Sequence, residues 1–133
     1  MELRLGTKAS LSKTVTDKDV RMFAEVSLDY NPLHLDDEVA KKSIFGRRIA
    51  HGDISLGLIS AVLGNYMPGR GTIYLGQDIK FIAPVFIDDT ITAEAEIVEI
   101  IPEKNRYRIR TDVKNQAGVL VATGFALVKY QAA

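Results

Sequence analysis

Residues 54–66 contain no charged side chain. Read as a helix, they set Ile54, Leu56, Leu58, Ile59, Ala61, Val62 and Leu63 at every angle around the axis. A helix that is apolar all round belongs in an interior, because no surface orientation hides all of those side chains from water. Asp53 stands at its N-terminal end, and Pro68-Gly69 close it. The chain has 133 residues, the size of one domain, since domains most often run ~100–150 residues. Whatever encloses the helix must therefore come from residues 1–133 as a single domain, or from a second copy of the chain.

Four stretches beyond the helix read as strands. Residues 72–85 carry Ile73, Leu75, Ile79 and Phe81. Residues 90–101 alternate Ile91, Ala93, Ala95 and Ile97 against Thr92, Glu94 and Glu96. Residues 106–115 alternate Tyr107, Ile109, Thr111 and Val113 against Arg106, Arg108, Arg110 and Asp112. Residues 118–130 are apolar on both faces, as an interior strand is. Turn signals at 102–105 and 115–118 separate them. With no helical pattern in between, these strands should pair antiparallel. Residues 3–5 and 10–16 offer edge strands.

Residues 16–28 form a helical pattern, with Thr16 and Asp19 spaced as a capping box and Val20, Phe23, Ala24, Ser27 and Leu28 on one face. Residues 35–49 are polar and read as a loop with a short helix around residues 37–42. These elements predict an α+β fold, an antiparallel sheet wrapped around one long buried helix. That is the hot-dog arrangement. The sheet covers most of the helix, and the side left bare predicts a homodimer.

Charge narrows the partners. Lys and Arg number 17 and Asp and Glu 17, so the formal net charge is 0. A nucleic-acid partner calls for a basic excess and a membrane surface for a basic amphipathic face, and neither is expected here. No apolar run approaches the ~18–20 residues of a membrane helix. The absence of cysteine excludes disulfides, thiolate ligation and a cysteine nucleophile. With two histidines, His34 and His51, a multi-histidine metal site is not expected. Residues 1–6 lack the long apolar stretch of a secretory leader. The expected setting is the cytoplasm.

Two motifs carry chemistry. Asp29-x-Asn31-Pro32-x-His34 brings a carboxylate, an amide and an imidazole into one proline-constrained turn. A carboxylate and an imidazole can grip one water between them and move its proton near neutrality. The same residues also suit a plain Asx-turn with a surface histidine. Ala50-His51-Gly52-Asp53 opens the buried helix, where unpaired N–H groups and the positive end of the dipole could receive a carbonyl oxygen that gains charge. A tight loop-to-helix junction with His51 packed or capping is the alternative. Lys41, Lys42, Arg47 and Arg48 could meet phosphates or form a solvated face.

The strings Phe23-Ala24 and Ser27-x-Asp29-Tyr30-Asn31-Pro32-Leu33-His34-Leu35-Asp36 resemble the signature of MaoC-like, R-specific enoyl-CoA hydratases. Ile49-Ala50-His51-Gly52, Thr72-Ile73-Tyr74-Leu75-Gly76-Gln77 and Phe81-x-x-Pro84-Val85 are similar to further blocks of that family. The resemblance spans essentially the whole chain. It implies a hot-dog homodimer that hydrates trans-2-enoyl-CoA to (R)-3-hydroxyacyl-CoA without metal or redox cofactor. By resemblance, Asp29 and His34 activate water, Asn31 supports their geometry and the Gly52 N–H meets the thioester oxygen. His51, Asp53, Ser60 and Leu63 fall at the substrate, the last two beside the acyl pocket, and residues 35–48 correspond to a covering overhang. Two positions depart from the family: Asp53 replaces an apolar residue, and Asp88-Asp89 replaces a frequent glycine-aspartate pair. The alternatives are a dehydratase of carrier-protein thioesters, a hot-dog thioesterase using Asp53, and a non-catalytic acyl-binding module.

Overall fold

A computed structural model describes residues 2–132. Strand β1 (Lys8–Thr14) is followed by helices α1 (Asp17–Ser27), α2 (Pro32–Leu35), α3 (Asp37–Lys41) and α4 (Gly52–Asn65). Strands β2 (Ile73–Phe81), β3 (Thr90–Ile101), β4 (Arg106–Lys114) and β5 (Leu120–Lys129) complete the chain. The five strands form one antiparallel sheet in the order β1-β3-β4-β5-β2. β5 lies inside it, as its two apolar faces require.

The sheet curls around α4. Ile91, Ala93, Ala95 and Ile97 of β3, and Ile109 and Val113 of β4, are buried with Ile59, Val62 and Leu63 of α4. Each large aliphatic side chain taken fully out of water contributes about 1.5–3 kcal/mol. On the other face, Arg110 joins Glu94, Glu96 and Asp112 in a half-exposed charged network. The alternation of β3 and β4 thus separates core from solvent.

Several expectations need correction. No strand forms at residues 3–5, and β1 is the sole N-terminal strand among the described residues. β2 ends at Phe81 rather than 85, because the chain bends so that Ala50 N–H donates to the Val85 carbonyl at 2.7 Å. As expected, α4 keeps one side bare: Asp53, Gly57, Ser60 and Gly64 lie exposed along it. In α1 only Val20 and Ala24 are fully buried. The predicted face shrinks because Leu28 turns outward as a left-handed C-cap with φ 66°. The capping box does form, with Thr16 Oγ1 accepting from Asp19 N–H and Asp19 accepting from Thr16 N–H.

Asp88 has φ 75°, a left-handed conformation that glycine takes without cost and aspartate tolerates.

Gly124 is required by close approach. A Cβ there would lie 2.0 Å from the Asp78 carbonyl oxygen across the β2–β5 pair. Gly124→Ala should therefore cost about 1–3 kcal/mol and lower the melting temperature by ~3 °C or more. An unchanged thermal transition would show that the strands can yield.

Candidate active site

The site is built where α1 stops. Leu28 N–H bonds the Ala24 carbonyl at 2.8 Å, and the chain then turns through Asp29. The Asp29 carboxylate accepts from Asn31 N–H at 3.1 Å, and Asn31 Oδ1 accepts from Leu33 N–H at 3.1 Å. Asn31 is thus the N-cap of α2, with Pro32 at its first turn, where a missing N–H does no harm. This one-turn helix, absent from the sequence reading, carries His34.

His34 is buried while Asp29 remains exposed. His34 Nδ1 lies 2.7 Å from the Ile49 carbonyl oxygen. A carbonyl only accepts, so Nδ1 carries the hydrogen and the neutral ring keeps its lone pair on Nε2. The Arg48 Nε–H donates to the His34 carbonyl at 2.7 Å, and its Nη2 donates to Asp17 at 2.5 Å. Arg48 is itself buried. The basic cluster is therefore divided: Lys41, Lys42 and Arg47 are exposed, while Arg48 braces the His34 backbone. Nothing in its spacing distinguished Arg48 from its neighbours.

His51 N-caps α4 without a side-chain cap bond. By helix geometry the first amides of α4 have no intrahelical acceptor, and they open into a cavity of about 360 Å³. Asp29, His34, Phe45, His51, Gly52 and Asp53 all line it. A Cβ on Gly52 would lie 2.8 Å from the Phe81 ring, so glycine lets the ring at the end of β2 close on the helix start without shifting. Phe81 and Ala83 form the opposite wall, a role the sequence did not reveal. Asp53 is exposed and also lines a second, apolar cavity of about 710 Å³ between α1 and α4.

The structure thus gathers Asp29, His34, His51, Gly52 and Asp53, with Asn31 bracing the turn behind them. It leaves Ser60 and Leu63 apart. Ser60 is on the exposed side of α4, Leu63 is 1% exposed within the core, and neither lines the cavity.

A carboxylate oxygen of Asp29 and ring nitrogens of His34 and His51 lie within 4.8 Å of one another. The two rings are stacked, with centroids 3.9 Å apart and planes at 29°. Two hydrogen bonds of ~2.8 Å meeting at a tetrahedral oxygen span ~4.6 Å, which falls within that 4.8 Å limit.

The chain matches the family model described as MaoC like domain over residues 4–119. It belongs to the MaoC-like family. An (R)-specific enoyl-CoA hydratase of Rhodospirillum rubrum is 44% identical over 127 residues, 96% of this chain and 88% of that protein. A 3-hydroxybutyryl-CoA dehydratase of Methylorubrum extorquens is 42% identical over 128 residues, 96% of this chain and 81% of that one. The solved (R)-hydratase of Aeromonas caviae, described as involved in PHA biosynthesis, superposes with a TM-score of 0.94. That match is at 43% identity and covers 97% of this MaoC-like chain and 98% of the other.

Burial pushes the His34 imidazole below its ordinary 6.5. The Ile49 bond opposes the shift, His51 adds to it and the Asp29 charge opposes it. The ring is thus neutral at neutral pH. The unfolded chain holds this proton more tightly, so the stability due to neutral His34 is present above pH 6.5 and is lost as pH falls through the folded value. An imidazole NMR titration should place His34 below 6.5, and Asp29→Asn should lower it further by removing a charge that favours imidazolium. An upward move in that variant would contradict the assignment.

Proposed function

We propose that this MaoC-like chain catalyses the (R)-specific hydration of trans-2-enoyl-CoA to (R)-3-hydroxyacyl-CoA, and the reverse dehydration. It is a hydro-lyase in this reading. The observation that carries it is the gathering of the Asp29 carboxylate and the His34 ring, whose Nε2 is left as the acceptor, beside the uncapped start of α4.

Water held between Asp29 and His34 adds its oxygen to the β-carbon. One water proton passes to the pair and on to the α-carbon, the other stays in the new hydroxyl, and the carbon–carbon double bond is consumed. Both groups lie on one side of the alkene, which favours syn addition. As water adds, charge builds on the thioester oxygen. The Gly52 N–H and the positive end of α4 meet that charge more strongly in the transition state than in the ground state. Asn31 holds the turn that sets the spacing of the pair.

The protein partner in this proposal is a second copy of the chain. Ile73, Leu75, Phe81 and Ile82, on β2 and just beyond it, are 54%, 42%, 53% and 55% exposed. The opposite edge, β1, carries Lys8, Ser10, Ser12 and Lys13, the polar chemistry that discourages strand pairing. Pairing through β2 in a homodimer would cover the apolar edge and bring a second wall toward Ser60, which is how Ser60 and Leu63 would come to bound an acyl chain. Light scattering at micromolar concentration should give the mass of two chains, and a single-chain mass would overturn this assembly.

Incubation with crotonyl-CoA, beside the matching carrier-protein thioester, should yield (R)-3-hydroxybutyryl-CoA. Asp29→Asn and His34→Gln should each lower kcat by ~10²–10⁴-fold with smaller changes in KM. The double variant should lose little more than the worse single one, as groups acting on one water do. Wild-type turnover in either variant would remove that residue from the mechanism. Asp53, at the mouth of the cavity, carries the competing thioesterase reading. Release of free thiol that Asp53→Met abolishes, without hydration, would replace the hydratase with that activity.

A further inference from the structure

His51 is occupied on three sides. Its Nε2 lies 2.9 Å from the Asp29 carbonyl oxygen, its face stacks on His34 at 3.9 Å, and Phe23 tilts against it at 4.8 Å. It is 3% exposed. The carbonyl accepts, so Nε2 carries the hydrogen, and the Nδ1 of the neutral ring is a bare acceptor. Among the described residues that Nδ1 is the one buried side-chain polar atom without a hydrogen-bond partner.

A buried acceptor left bare is destabilising, and such groups in folded proteins call for an explanation. Neither half of the imidazole's work requires it alone. A phenyl ring offers the flat face without a bare nitrogen, and a glutamine amide offers the N–H without the face. Only an imidazole of this size offers both at once, and here both are used on the same pair: the N–H on the backbone of Asp29, the face on the ring of His34.

We propose that His51 is a positioning residue that fixes Asp29 and His34 relative to each other. This rests on the hydration reading above. One side chain, anchored at the first turn of α4, ties the Asp29 backbone in place and sets the plane in which His34 presents Nε2. It thereby couples the water-holding pair to the helix start that receives the thioester oxygen. Since displacements of ~1 Å in a reacting group can cost ~10²-fold in rate, loss of either contact should act on turnover rather than on binding.

The test uses His51→Phe, which keeps the stack and loses the donor, and His51→Gln, which keeps the donor and loses the stack. With crotonyl-CoA, each should lower kcat by ~10-fold or more while KM stays within ~3-fold. His34 is the sole histidine left in either variant, so its imidazole NMR signals need no assignment. The His34 Nδ1–H, held on the Ile49 carbonyl in the wild type, should exchange faster with water in both variants. Wild-type kcat in both variants overturns the proposal. A raised KM at wild-type kcat also overturns it and makes His51 a substrate contact. An unchanged His34 Nδ1–H signal in both variants overturns it even if activity falls. If the wild type does not hydrate crotonyl-CoA, the hydratase reading fails, and the His34 signal alone still decides whether His51 holds that ring.

Discussion

The enclosure of α4 is the constraint on which the rest of the structure depends. Its apolar sides must leave water, and a five-stranded antiparallel sheet curled around it achieves this with the inward residues of β3, β4 and β5. The N-terminus cannot be buried in the same way. Its amides lack acceptors, and closing them off without partners would cost about 1–3 kcal/mol each. The helix start therefore stays at the rim, open to a cavity, and the same burial that stabilises the fold leaves a positive, uncapped end available for chemistry.

The loop from Asp29 to His34 is arranged by complementary rules. Its polar groups are satisfied locally: Asp29 and Asn31 accept from amides two residues on, and Asn31 starts a turn of helix. These bonds stiffen the loop while Arg48 and the Ile49 carbonyl hold His34 against the body of the protein. Because the turn pushes His34 inward and leaves Asp29 outward, burial disfavours the imidazolium on one group while the other remains solvated. The asymmetry yields a neutral imidazole and a carboxylate facing one small volume.

Much of this is legible in the residue pattern. The period-2 alternation of β3 and β4, the apolar run of α4, the Thr16–Asp19 box and the turns at 102–105 and 115–118 all appear where simple periodicity places them. The misses have physical causes. α2 is a single turn, too short to show a helical period. A bare side of α4 was expected, but its position was not legible, because Gly57, Ser60 and Gly64 are compatible with either burial or exposure. Arg48 was grouped with its basic neighbours because charge alone does not say that a guanidinium will be drawn inward by Asp17 and a backbone carbonyl.

The sequence by itself determined most of the elements, their antiparallel pairing and the presence of a carboxylate and an imidazole in one short turn, because local spacing and side-chain chemistry are written along one dimension. Only the tertiary structure decided the rest. The Ile49 carbonyl selects the His34 tautomer from 15 residues away. His51 reaches back 22 residues to the Asp29 carbonyl, and the Phe81 ring closes on Gly52. Each of these is a contact between segments brought together by packing, and two of them run through backbone oxygens that every residue possesses. Nothing in residue identity marks such an oxygen as an acceptor, so the fold alone could single it out.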